Sequence, residues 1–159
     1  MPATTTESRR KLHFDTIAES LADVDQIAAA HQAATLRAIG QWTPGKILGH
    51  LATWVDYCFD GAPLEVPFWI AMLVRPMKRI ILYKPMRTGT RIPGVPGGTL
   101  ALDDLPFDEA LSKFRKNFSR LASEAPAKPH MVFGPLTHDE WINFNLRHAE
   151  LHLSFLRWD

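Results

Sequence analysis

Apolar positions recur along this chain at helical spacing in four long stretches. The first runs from about residue 16 through Ile17, Leu21, Val24, Ile27, Leu36 and Ile39. It is expected to end near Gly40, a residue free to leave the helix. The second opens at Thr43-Pro44, a side chain able to cap free amides followed by a ring suited to the first helical position. It reaches to about residue 59, with Ile47, His50, Leu51, Trp54 and Cys58 on one stripe. The third covers 107–123 and buries Phe107, Ala110, Leu111, Phe114, Phe118 and Leu121. The last opens with Thr137-His-Asp-Glu140, a capping-box sequence. On it Trp141, Phe144, Asn145, His148, His152 and Phe155 form one inward stripe, and Ile142, Leu146, Ala149, Leu153 and Leu156 a second. Asn143, Arg147, Glu150, Ser154 and Arg157 are left as the wet face.

The pattern breaks between residues 61 and 106, which seven prolines punctuate. A short helix over 68–82, kinked or broken at Pro76, is expected inside this stretch. From 66 to 102 there is no acidic residue, but there are six cations: Arg75, Lys78, Arg79, Lys84, Arg87 and Arg91. With too few apolar positions for its own core, 61–106 reads as one basic, Pro/Gly-rich insertion. Residues 1–14 read as a flexible basic lead-in. One all-α domain spans 1–159.

Composition adds limits rather than a function. A net charge of +1 gives no global field for nucleic acid. The single cysteine, Cys58, cannot form an internal disulfide, and no apolar signal core opens the chain, so a cytoplasmic protein is expected. The apolar run at 66–74 is too short to span a bilayer. Followed by cations, it could lie on an anionic membrane surface, but packing on its own bundle or on a dimer mate is the favoured expectation.

The histidines carry the chemistry. His148 and His152 stand four apart on one helical face, where Cβ atoms are about 6 Å apart and two imidazoles can converge on one ion at about 2.1 Å. His50, on the buried stripe of the second helix, could complete a three-histidine set with open coordination positions. Such ligands suit zinc, nickel, iron or copper better than magnesium or calcium. The alternative is that all three are hydrogen-bonded core histidines without metal. Asn145, one turn before His148, is either a support for that ring or a plain core amide. Cys58 is expected to pack in the core, His138 to be exposed, and His13 and His31 belong to no motif.

The segment Trp42-Thr-Pro-Gly-Lys-Ile-Leu-Gly-His50-Leu-Ala and the later His148-x-x-x-His152 resemble the DinB/YfiT-like superfamily. Within it they resemble an uncharacterised DinB-like subfamily, whose style is matched by Arg10-Lys-Leu-His-Phe-Asp-Thr-Ile, by 130–137 and by Glu140-Trp141. The likeness covers nearly the whole chain. It implies a four-helix bundle with a long crossover, and a divalent transition metal, zinc or nickel first and iron next, held by His50, His148 and His152. It also implies a metal-dependent thiol S-transferase acting on a small electrophile with a low-molecular-weight thiol, and dimerisation through a helix face. In such a site Arg87 or Arg91 could hold the carboxylate of an anionic thiol. Metal-assisted hydrolysis uses the same ligands, and a degenerate bundle serving as a stress-associated binding protein is the non-enzymatic alternative.

Overall fold

In the computed structural model, which describes residues 8–92 and 95–159, the chain is mainly helical. Local capping chemistry sets the starts of three long helices. At α1 (Ile17–Gln32) the Thr16 hydroxyl accepts the Glu19 amide while the Glu19 carboxylate accepts the Thr16 amide. At α2 (Pro44–Asp60) Thr43 accepts the Lys46 amide ahead of Pro44, and Gly61, at φ 92°, ends the helix. After α3 (Phe68–Val74) comes a 3-10 turn over Arg75–Met77, the break expected at Pro76, and then α4 (Lys78–Tyr83). The helix α5 (Phe107–Ser123) lacks a side-chain cap, whereas α6 (His138–Leu153) opens on the reciprocal Thr137–Glu140 capping box.

The four long helices share one core. Val24 and Ile27 of α1, Leu48 and Leu51 of α2, Phe114 and Phe118 of α5, and Leu146 and Leu153 of α6 are all fully or almost fully buried in it. Phe114 and Phe118 stack with centroids 3.9 Å apart. Helix α2 packs on both α5 and α6, and this brings its inner stripe against the inner stripe of α6. The shorter α4 packs on α6, anchored by Leu82 and by the Lys78–Glu140 ion pair at 2.7 Å.

Three local expectations are corrected. The first helix stops at Gln32 rather than near Gly40, because Ala34 adopts a left-handed conformation (φ 56°) and the Thr35 and Leu36 amides both turn back to the Ala30 carbonyl. Leu36 and Ile39 therefore flank a strand, β1 (Arg37–Ala38), which pairs antiparallel with β2 (Leu156–Arg157). The lead-in is not frayed over residues 8–14, and residues 1–7 lie outside the described residues. Arg10 pairs with Asp23 at 2.7 and 2.9 Å and donates to the Leu156 carbonyl at 2.6 Å.

That lead-in also overturns the wet face of α6. Phe14 is buried, and its amide donates to Glu150 at 2.7 Å. Arg147 pairs with Glu150 at 2.7 Å and donates to the Phe14 carbonyl. Arg147, Glu150 and Ser154 are consequently buried. Removing one member of a buried pair strands the other charge, at a cost of about 3–5 kcal/mol. Glu150→Ala should therefore lower unfolding free energy by that amount in urea titration; a loss under about 1 kcal/mol, typical of an exposed pair, would contradict the buried clamp.

Candidate metal centre

Helix α2 carries His50 on its inner stripe, and α6 carries His148 and His152 one turn apart on the facing stripe. Their ring centroids form a nearly equilateral triangle, 5.0 Å from His50 to His148, 4.6 Å from His50 to His152 and 4.8 Å between the last two. One ring nitrogen from each lies within 4.8 Å of the others. The Nε2 atoms of His50 and His148 are 3.1 Å apart. Two nitrogens bound at about 2.0–2.1 Å to a tetrahedral ion stand about 3.3 Å apart, so this pair already has the spacing of two ligands.

The insertion decides the tautomer of His50. Its Nδ1 lies 3.0 Å from the Leu100 carbonyl and 3.2 Å from that of Ala101. Carbonyls only accept, so Nδ1 carries the proton and Nε2 keeps its lone pair toward the cluster. Residues 98–105 lie across α2 as a strap, with Thr43 Oγ1 bonded to Asp104 at 2.5 Å. The strap approaches closely because α2 offers glycines there. A Cβ at Gly45 would stand 2.1 Å from the Leu105 carbonyl oxygen, and one at Gly49 would stand 3.2 Å from a Leu105 methyl carbon.

Burial keeps the three imidazoles neutral. Desolvation, opposed by the two strap carbonyls and helped by Lys46, brings His50 down to about 4. Desolvation and the neighbouring His50 bring His152 to about 3. His148 is held well below the ordinary value by its burial and by both other rings. Trp42 stacks on His152 at 5.1 Å, and Trp42 and Trp54 both approach His50 edge-on. Neutral imidazole is the form that ligates metal, and the His148 Nδ1 is buried without a protein partner. The donor set therefore fits a divalent transition metal, and His50, His148 and His152 could hold one.

Beside this triangle is a cavity of about 230 Å³ between the end of α2, residues 61–64, the loop 128–131 and α6. Trp54 and Phe144 belong to both places: they line the cavity, and their rings lie 5.5 and 6.3 Å from that of His148. His130 lines it as well. Its Nδ1 accepts the Val132 and Phe133 amides at 3.1 and 3.3 Å, which puts its proton on Nε2. That Nε2–H and the indole N–H groups of Trp54 and Trp141 are buried without acceptors. Cys58 also lines the cavity, and burial pushes its thiol up to about 12, so it stays protonated.

Other sequence-picked residues fall elsewhere. Asn145 donates to the Trp141 carbonyl at 2.9 Å and to Cys58 at 3.4 Å, the bonds of a core amide rather than of a histidine support. His138 is not left to solvent but bonds the Leu121 carbonyl at 2.6 Å. His31 stacks on Phe107 at 3.8 Å, and His13 lies beside Asp15 and Glu150. Arg87 is exposed and Arg91 packs against Gly98, so the cation whose charge reaches His50 is Lys46. The strap carbonyls and His130 escape sequence reading because neither a backbone acceptor nor a loop imidazole has a periodicity. The Gly-Pro turn after His130 is the one visible hint, since it folds the loop back onto that ring.

A family model described as protein of unknown function (DUF1569) matches residues 6–158 of the chain. No curated protein and no solved structure matches it.

Two outcomes follow from the strap and the buried rings. Gly45→Ala should lose about 1–3 kcal/mol to overpacking against backbone, whereas Gly49→Ala should be near neutral, because a side-chain methyl yields and helix propensity returns up to about 1 kcal/mol. Equal effects in chemical denaturation would contradict the close strap. Unfolded histidines take up protons near pH 6.5, but His50, His130 and His152 resist to about 4, 4 and 3. Below about pH 6.5 the unfolded state thus binds more protons, and stability present above that pH is lost on acidification. The melting temperature of the metal-free protein should fall steeply between about pH 6.5 and 5, before most carboxylates titrate; a flat profile there would contradict neutral burial.

Proposed function

The chain belongs to this family of proteins of unknown function (DUF1569), and for it we propose a divalent-metal protein whose centre serves thiol S-transfer to a small electrophile. The observation that carries this is the His50–His148–His152 triangle, with the His50 proton locked on Nδ1. Three imidazole ligands favour zinc or nickel, with iron next. The order of the four long helices supports a DinB/YfiT-like four-helix bundle, with ligands from the second and last and a long crossover after the second.

A divalent ion held there would lower the pKa of a thiol at an open coordination position and so supply a nucleophile at neutral pH. The chain's own groups do the rest. Cys58 stays a neutral thiol, so the attacking sulfur comes from a cosubstrate. The aromatic wall shared by Trp54 and Phe144 keeps water from the side of His148. The cavity beyond it, lined by Trp54, His130 and Trp141, would receive the electrophile. In the transfer the thiol loses its proton to solvent, a carbon–sulfur bond forms, and the leaving group departs with the electrons of its bond to carbon.

The test is thiol consumption by zinc- or nickel-loaded protein with a panel of low-molecular-weight thiols and alkylating or arylating electrophiles. Turnover should be saturable, abolished by chelator or by His148→Ala, and restored to the wild-type protein by adding metal back. Metal-dependent ester or amide cleavage without thiol would replace transfer with hydrolysis. Metal-loaded protein that turns over neither class would mark a binding protein without chemistry.

A further inference from the structure

The insertion has a second face, remote in chemistry from the histidines. Among the described residues, the exposed large apolar side chains concentrate in one stretch, with Phe68, Trp69, Met72 and Leu73 on α3 and Ile80 and Tyr83 on α4. Phe68 is 69% exposed and Leu73 68%. Positions 68, 69, 72 and 73 share one side of a helix, while Ala71 on the other side is buried. The segment is also fastened: Leu82 is fully buried, Lys78 pairs with Glu140, and Arg75 Nε donates to the Val132 carbonyl at 3.2 Å. An anchored segment with its apolar side outward is not an unpacked loop. Of the two expected coverings, the chain's own bundle does not bury these side chains. Contiguous exposed apolar surface of this kind marks an interaction site.

Charge identifies the partner. No acidic residue lies between 66 and 102, and Arg79, Lys84 and Arg87 of the same segment are exposed. A second copy seated on the same face by a two-fold axis would bring two like-charged patches together. An anionic bilayer attracts them, and its soft headgroup–acyl boundary accepts projecting aromatic and aliphatic side chains without a preformed complementary surface. No helix among the described residues is long and apolar enough to cross a membrane, so the contact would be peripheral.

We propose that residues 68–87 dock this protein on an anionic lipid surface, with Phe68, Trp69, Met72 and Leu73 entering the headgroup boundary and Arg79, Lys84 and Arg87 meeting lipid phosphates. The docking stands apart from the metal centre and survives loss of the histidines.

Co-sedimentation of the full chain with vesicles of phosphatidylcholine alone or mixed with phosphatidylglycerol, at low and high salt, tests it. Binding should require phosphatidylglycerol and weaken with salt. Charge removal in Arg79→Gln/Lys84→Gln should cost about fivefold per cation in partitioning. Trp69→Ser/Leu73→Ser should abolish binding at unchanged melting temperature, as expected for exposed positions. No sedimentation with anionic vesicles at low salt would overturn the proposal. So would binding that both double variants leave intact, or a dimer in analytical ultracentrifugation that Trp69→Ser/Leu73→Ser disrupts and that leaves no lipid binding.

Discussion

The Nδ1–H of His50 donates to the carbonyls of Leu100 and Ala101, and the rest of the site depends on where that proton sits. With the proton there, the Nε2 lone pair is available to the cluster, 3.1 Å from the Nε2 of His148. With the proton on Nε2, His50 would turn a donor rather than a lone pair toward the cluster and could not ligate through that atom. The basic, proline-rich insertion thus has a definite task next to the histidines. It brings two backbone acceptors to a ring buried in α2, and Gly45 and Gly49 give it the room to come that close.

Holding three imidazoles together under cover works against the fold. Each ring loses solvation, each resists protonation, and the His148 Nδ1 goes without a partner. Stability has to come from elsewhere, and two features offset the cost. The shared apolar core of the four long helices contributes burial, and the lead-in over 8–14 closes the outer side of α6 through Arg10, Phe14 and the Arg147–Glu150 pair. The end of α6 that carries His148 and His152 is therefore fixed from both sides, by the core within and by the clamp without. A rigid helix end is what a ligand pair needs to keep its spacing.

Much of this was legible in the chain because it is local. The capping box at Thr137, the Thr43–Pro44 start and the i, i+4 pair of histidines follow from contacts within one turn, and periodicity places the inner stripes. The failures are all tertiary. Leu36 and Ile39 keep helical spacing, yet the backbone turns at Ala34 to pair with the C-terminal strand. Arg147 and Glu150 look like a solvated face until a distant segment covers them. For Asn145 the sequence leaves a support for His148 and a core amide open, and its bonds to the Trp141 carbonyl and Cys58 are those of the core amide. Only the folded loop shows that the Nδ1 of His130 is an acceptor and its Nε2–H a donor without a protein partner.

The central claim is that the three buried histidines are metal ligands, and the most direct measurement is metal content by inductively coupled plasma mass spectrometry. It should be made on tag-free protein, as purified and after reconstitution, beside folded His50→Ala and His148→Ala variants. Close to one equivalent of a transition metal in the native chain, lost in both variants, is the expected result. No retained metal after reconstitution, in a protein whose fold is intact, would contradict the metal centre and leave the triangle as a costly piece of the core.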